Sequence, residues 1–122
     1  MLRILITGSR GWTDPEQIRT AILDTIENHG ASLEDAVIVH GDCPTGADYM
    51  ASIVADHEGI SQERHPADWK THGKKAGFLR NYEMVKLGAD VCLAFIHNGS
   101  SGASMTATSA SKAGIPTKLY HQ

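Results

Sequence analysis

The residues with chemistry to offer stand in three glycine-bearing loops, each directly behind a short apolar run. They are ILITGSRGW (Ile4–Trp12), VIVHGDCPTGAD (Val37–Asp48) and CLAFIHNGSSGASMT (Cys92–Thr106). An apolar strand that ends in glycine and opens a helix leaves backbone N–H groups free at its carboxyl end. With the helix dipole behind them, those groups attract phosphate or another anion. In the first loop Gly8 is followed by Ser9 and Arg10, both able to donate to phosphate. In the second, Gly41 is the glycine that could admit phosphate. The third is the strongest phosphate candidate, because Gly99-Ser100-Ser101-Gly102-Ala103-Ser104 combines two glycines, three hydroxyls and a following helix. Its plain alternative is a flexible serine-rich turn.

Departures from known motifs narrow this chemistry. The first loop lacks the third glycine of a dinucleotide fingerprint, and no acid ends the second strand to hold a ribose. The third loop lacks the lysine of a P-loop, which argues against magnesium–nucleoside triphosphate chemistry. Thr45 and Asp48 have capping-box spacing, so helix capping alone accounts for both, although Asp48 would also sit where a ribose hydroxyl could bond. His40 and Cys43 have the types of a base and a nucleophile, but that pairing needs a third, orienting group that the sequence does not show. Trp12 and Trp69 are the candidates to cover a base, with Trp12 weighted toward the core because most aromatics are structural. His40, His65 and His97 end predicted strands at spacings unlike those of a metal motif. No metal site and no cofactor are expected.

The elements that must position these residues are legible as alternating patterns. Strands are expected at Arg3–Ile6, Val37–His40, Gln62–His65, Val91–Ile96 and Thr117–Tyr120. Asp14-Pro15-Glu16-Gln17 starts the first helix, with Asp as the cap and Pro at the first helical position. Ile18, Ile22 and Ile26 form its apolar face, and Gly30 ends it. Ala47, Met50, Ala51, Val54 and Ala55 give the second helix the cleanest period in the chain, closed by Gly59. Pro66–Trp69 opens a polar connection. A third helix is expected from about Lys75 to Leu87 with Phe78, Tyr82 and Val85 buried. Arg80, two residues from both aromatics, then falls on the exposed side. A fourth, from about Ala103, carries Ala107, Ala110 and Ala113 as a stripe of small residues, and Gly114 and Pro116 stop it. Strands alternating with helices through short connections predict an α/β fold, a doubly wound parallel five-stranded sheet with right-handed crossovers. The loops would then meet at one carboxyl edge, where open α/β sheets bind ligands.

Bulk properties set the limits. A chain of 122 residues fits one domain over its whole length, and by size scaling it buries roughly 65% of its unfolded surface. No apolar run approaches the roughly 20 residues of a membrane span, and the first residues do not read as a signal peptide. Only two cysteines occur, which is no disulfide framework. A cytoplasmic protein is expected. The net charge of −3 argues against general nucleic-acid binding. The charge is uneven, however. From Trp69 to Leu87, Lys70, Lys74, Lys75, Arg80 and Lys86 face the single acid Glu83. A local basic segment on an acidic body suits a small polyanion better than a long duplex. A nucleotide-type small molecule is the expected partner, and a homo-oligomer is left open.

The motifs together resemble the YspA-like branch of the SLOG superfamily, whose relatives include the LOG phosphoribohydrolases and the DprA/Smf DNA-processing proteins. The resemblance rests on TGSR with Trp12, HGDCPTGAD (His40–Asp48), PADW (Pro66–Trp69), GKKAGFLRN (Gly73–Asn81), Asp90, the glycine–serine loop and GIP (Gly114–Pro116). These pieces span nearly the whole chain. The resemblance implies strand order 3-2-1-4-5 and a nucleotide or an ADP-ribose- or NAD-derived ligand at the carboxyl edge. Arg80, with Asn81 beside it, looks like the LOG arginine, which implies that it turns to the ligand edge and neutralises phosphate, and Gly99–Thr106 looks like the LOG phosphate loop. The LOG glutamate is not matched, since Met105 and Thr106 stand in its place. Hydrolysis of a base–ribose bond would therefore need Asp42, Asp48 or Asp68 as the substitute carboxylate. Two alternatives to simple ligand binding follow: an N-glycosidase, and DprA-like binding of single-stranded DNA.

Overall fold

Apolar runs long enough only for strands, each followed by a capped helix, give the chain its architecture. A computed structural model describes residues 1–122. It contains β1 (Leu2–Gly8), α1 (Pro15–Asn28), β2 (Ala36–His40), α2 (Gly46–Glu58) and β3 (Ser61–Arg64). The one-turn helix α3 (Trp69–His72) follows, then α4 (Ala76–Leu87), β4 (Val91–Ile96), α5 (Ser101–Lys112) and β5 (Thr117–His121). All five strands lie in one sheet in the order β3-β2-β1-β4-β5, and every neighbouring pair is parallel. The strands on either side of β1 run outward in opposite sequence directions, so the switch point of the sheet lies between β1 and β4.

Both faces of the sheet are covered, which is why β2 and β4 are apolar at almost every position. On one face Ile4, Ile6, Leu93 and Phe95 pack with Ile18, Ile22 and Ile26 of α1 and Ala51, Val54 and Ala55 of α2. On the other, Leu5, Val39 and Cys92 pack with Met84 and Val85 of α4 and Ala110 of α5. The α1 cap is as the sequence suggests: the Asp14 carboxylate accepts from the Gln17 N–H at 3.2 Å, with Pro15 opening the helix. Gly59, left-handed at φ 73°, closes α2. No helix is long and apolar enough to cross a membrane.

Two helix faces differ from expectation. α4 buries Ala76, Arg80, Met84 and Val85, whereas Phe78 and Tyr82 are 53% and 65% exposed. Aromatic character pointed to the wrong stripe. The inward positions follow an i, i+4, i+8 row that includes a cation, and the cation is accommodated because its donors meet carbonyls at the sheet edge. In α5 the buried stripe is Ala103, Thr106, Ala107 and Ala110, while Ala113 is exposed and caps the helix. The polar connection after β3 also contains a helical turn, which the Asp68 carboxylate caps through the Thr71 N–H at 3.2 Å.

Candidate functional site

A cleft of about 340 Å³ opens at the carboxyl edge beside the switch point. Gly8, Ser9, Arg10, Cys43, Asp48, Trp69, Lys74, Phe78, Arg80, Asn81, Ser100 and Gly102 are among its lining residues. All three glycine loops reach this edge, but they reach it in different states.

In the first two, the protein itself fills the space over the glycines. A Cβ on Gly8 would collide with Ala47, and one on Gly46 would collide with the Ser9 carbonyl. These glycines let α2 lie against the end of β1. Ser9 is the knot of that contact. Its N–H donates to the Phe95 carbonyl at 2.9 Å, and its carbonyl accepts from Trp12 and Ala47 at 3.2 Å each. Its hydroxyl accepts the His97 N–H at 2.8 Å. Gly41 is closed from another side, because the Arg80 guanidinium occupies the space a side chain would need. Nη1 of Arg80 donates to the Gly41 carbonyl and, at 3.4 Å, to the His65 carbonyl. Nε donates to Oδ1 of Asn81 at 2.7 Å. Arg80 is therefore a buried clamp joining the ends of β2 and β3, and it reaches the cleft from the inward face of α4 rather than from the exposed side.

The third loop is open. A Cβ on Gly99 or Gly102 would meet nothing within 4 Å. Ser100 makes no side-chain cap to α5, and Ser100, Gly102 and Ala103 all face the cleft. Ser101, next in the loop, is exposed and off the cleft. Lys74 and Arg10 also line the cleft, with the Arg10 guanidinium 5.6 Å from the Trp69 ring centre. Trp69 is half exposed at the cleft. Trp12 is not: it is 1% exposed, meets Phe95 edge-to-face and donates its indole N–H to the Asp14 carbonyl.

The three candidate carboxylates separate cleanly. Asp42 has φ 56° and is ion-paired with Arg64 at 2.7 Å, outside the cleft. Asp68 is exposed and held below the usual carboxylate range by its bonds to Thr71. Only Asp48 is both buried and in the cleft. Thr45 makes no side-chain cap, so the capping-box reading does not hold. The Asp48 carboxyl turns inward instead and accepts the Cys43 N–H at 3.4 Å. Burial pushes its pKa up, against the lowering influence of His40, Cys43 and Arg80.

The remaining candidates lie against other protein groups. His40 is fully buried. Its Nδ1 accepts the Asp42 N–H at 2.9 Å, which leaves Nε2–H to donate to Gln62 at 2.8 Å. Neither nitrogen is free to serve as a base for Cys43. Burial and the neighbouring Asp48 raise the Cys43 thiol, which opposes nucleophile chemistry. His65 joins Glu63, itself bound by Arg3, at 2.7 Å. His97 packs its ring against Gly11. No group of three His, Cys, Asp or Glu side chains is arranged to hold a metal ion.

Sequence reasoning missed Lys74 as a cleft residue and the clamp between Arg80 and Gly41. The i, i+4, i+8 spacing of Ala76, Arg80 and Met84 was the available signal for the clamp.

Comparison with known proteins agrees with this architecture. A family model described as "YspA, cpYpsA-related SLOG family" matches residues 2–72. The Gene 61 protein of Mycobacterium phage D29 is 47% identical over 121 residues, covering 95% of this chain and 94% of that protein. No solved structure matches the chain.

Proposed function

The chain belongs to the YspA, cpYpsA-related SLOG family, and from that premise we propose that its cleft binds a nucleotide or a nucleotide-derived ligand of the ADP-ribose or NAD type. It would act as a sensor or sequestering module, with residues 1–122 forming one binding domain. The observation that carries this reading is the open loop at the start of α5, whose Ser100 and Gly102 line one cleft together with Lys74, Arg10 and Asp48. Free N–H groups and an ammonium suit phosphate. A buried carboxyl suits sugar hydroxyls, and Trp69 suits a base. Gly8, Ser9 and Gly41 serve by shaping the cleft, and Arg80 and Asn81 by holding its floor. Both cysteines are free, in keeping with the cytoplasm, where nucleotides are abundant.

A thermal-shift panel of nucleoside mono- and diphosphates, NAD, ADP-ribose and cyclic nucleotides tests the proposal. A ligand at a hundredfold excess over its Kd stabilises the fold by about 2.7 kcal/mol. A melting temperature unmoved by every member would sink the reading.

Asp48 favours a second reading, hydrolysis of the base–ribose bond. Its raised pKa suits a general acid: Asp48 gives its proton to the departing base as the C1′–N bond breaks. Water adds at C1′ and returns a proton to Asp48, giving free base and ribose phosphate. Free base detected by chromatography, and lost in Asp48→Asn, would establish this activity. Binding without base release would leave the sensor reading.

Nucleic acid is the partner we expect to fail. Trp69, Phe78 and Tyr82 are exposed beside Lys70, Lys74 and Lys75, a small version of a stacking strip. The rest of the chain is acidic, and fluorescence anisotropy with an oligonucleotide at low salt should be flat. Micromolar, salt-sensitive binding would promote single-stranded DNA instead.

A further inference from the structure

We infer that residues 66–75 form a strap that opens and closes over the carboxyl edge, with Trp69 as its latch, and that opening joins two cavities into one chamber. Such a gate governs access whatever ligand the cleft takes.

Two cavities meet at this edge. The cleft already described holds about 340 Å³. A second, of about 310 Å³, lies by the β2 loop, with Gly41, Pro44, Pro66 and Ala67 among its lining residues. Arg10, Cys43, Trp69 and Arg80 line both, so these four side chains form the partition. Arg80 is fixed by the Gly41 and His65 carbonyls and by Asn81. Arg10 and Trp69 hold each other instead: the guanidinium stands 5.6 Å from the ring centre. The tip of the ring lies beside Gly77 of α4, 3.5 Å from where a Cβ would begin.

The segment carrying Trp69 is lightly attached. Every residue from Asp68 to Lys75 is exposed, so no side chain there is rooted in the core. Its hydrogen bonds close within the segment. The Asp68 carboxylate accepts the Thr71 N–H, the Asp68 carbonyl accepts the His72 N–H, and the Trp69 carbonyl accepts the Gly73 N–H. Few buried contacts and solvent-exposed backbone bonds mark the low end of local stability. Pro66 stiffens one end of the strap. The other turns at Gly73, with φ 57° and ψ −134°, a conformation that glycine adopts at no steric cost. Just beyond, the buried Ala76 anchors the start of α4. A glycine hinge and one aromatic tether make a gate. An exposed cation–π pair biases an equilibrium by roughly two- to fivefold, enough to favour closure and too little to lock it. Lys74 rides on the strap and lines the cleft, so opening also withdraws an ammonium from the site.

Cys43 reports the opening, because it lines both cavities, whereas Cys92 is fully buried with its thiol pushed up to about 12. The full chain is treated with iodoacetamide and, separately, with trypsin at native pH, and both reactions are followed by mass spectrometry. Arg10→Ala and Trp69→Ala should each speed alkylation of Cys43 by about two- to fivefold. For Arg10→Ala the sign is diagnostic. The Arg10 charge favours the Cys43 thiolate, so its loss without opening would slow the reaction. Cleavage after Lys74 and Lys75 should rise in parallel, since native-state proteolysis tracks the open population. Gly73→Ala, which strains the closed hinge, should raise both rates as well. Cleavage after Lys86 in α4 should stay slow and the melting temperature unchanged. Faster alkylation with unchanged cleavage would mean a fixed window that Trp69 merely narrows, and it overturns the gate. So do faster cleavage with unchanged alkylation, unchanged rates of both, and a matching rise in cleavage after Lys86.

Discussion

The loops after β2 and β4 read alike in sequence, glycine-bearing and polar between an apolar strand and a helix, yet the fold treats them oppositely. The β2 loop is sealed over its glycine, although the rest of the loop lines a second cavity with Arg10, Trp69 and Arg80. His40 holds its backbone from below, Arg80 fills the space over Gly41, and Arg64 pairs with Asp42 outside. The β4 loop has no such filler: nothing stands within 4 Å of where a side chain would begin on Gly99 or Gly102. A glycine at a sheet edge can therefore admit either a piece of the protein or a piece of a ligand. What lies over the missing Cβ distinguishes them, and sequence does not report it.

The largest expected effect comes from breaking the seal. Arg80→Ala leaves the buried Gly41 and His65 carbonyls without their donor, each costing about 1–3 kcal/mol. A loss on the order of 3 kcal/mol lowers the melting temperature by about 10 °C in a domain of this size. Arg80→Lys should recover only part of it, because one ammonium does not reproduce a forked guanidinium. A surface arginine would change stability by no more than about 0.5 kcal/mol, so calorimetry on the unliganded protein separates the two roles.

Gly41→Ala tests the same seal from the other side. The added methyl must displace a guanidinium fixed by two carbonyls and Asn81. Overpacking of this kind costs about 1–3 kcal/mol. Chemical denaturation should show a lower midpoint at an unchanged slope. Full retention of stability would mean that Arg80 is free to move and does not hold the Gly41 turn shut.

These cases show how far the sequence could be read. The α1 cap and the α2 period were legible because each depends on local chemistry: a proline and an aspartate at a helix start, or alanines at i, i+4 and i+8; the strand order came only with the family resemblance. The clamp was not, since it depends on the end of β2 meeting α4 across 39 residues of chain. The inward turn of Asp48 was not legible for a related reason. Its spacing from Thr45 satisfies a capping rule, but the carboxyl is drawn inward against Cys43, which only the folded loop brings near. In α4 a hydrophobicity rule favoured Phe78 and Tyr82, and the tertiary environment chose the row containing Arg80.

Asp48 gives the next effect, and its sign follows from burial. A folded-state pKa above the unfolded value means that the native protein keeps a proton the unfolded chain releases. Stability from this group is thus fully present below the ordinary carboxyl pKa and falls as pH rises through the raised one. Asp48→Asn should flatten that part of the stability curve and be relatively more stable on its alkaline side. Urea titrations of both proteins across that range check it, and parallel curves would show that Asp48 is solvated through the cleft.

The smallest effect on stability, and the sharpest on the comparison, belongs to Gly102→Ala. Gly102 stands in the first turn of α5 with open space over its Cα, and it is absent from the positions with left-handed backbone. Alanine there meets no neighbour and restricts the unfolded chain, so the fold should gain about 0.4–1 kcal/mol. The new methyl, however, enters the space through which a phosphate would approach the start of the helix. The variant should melt slightly higher than wild type while binding its best nucleotide less tightly, as read by thermal denaturation and titration of the same preparations. Gly41→Ala, by contrast, should weaken the fold first and binding only as a consequence. If Gly102→Ala left affinity unchanged, the open loop would be an ordinary serine-rich turn and the ligand would have to enter elsewhere on the edge.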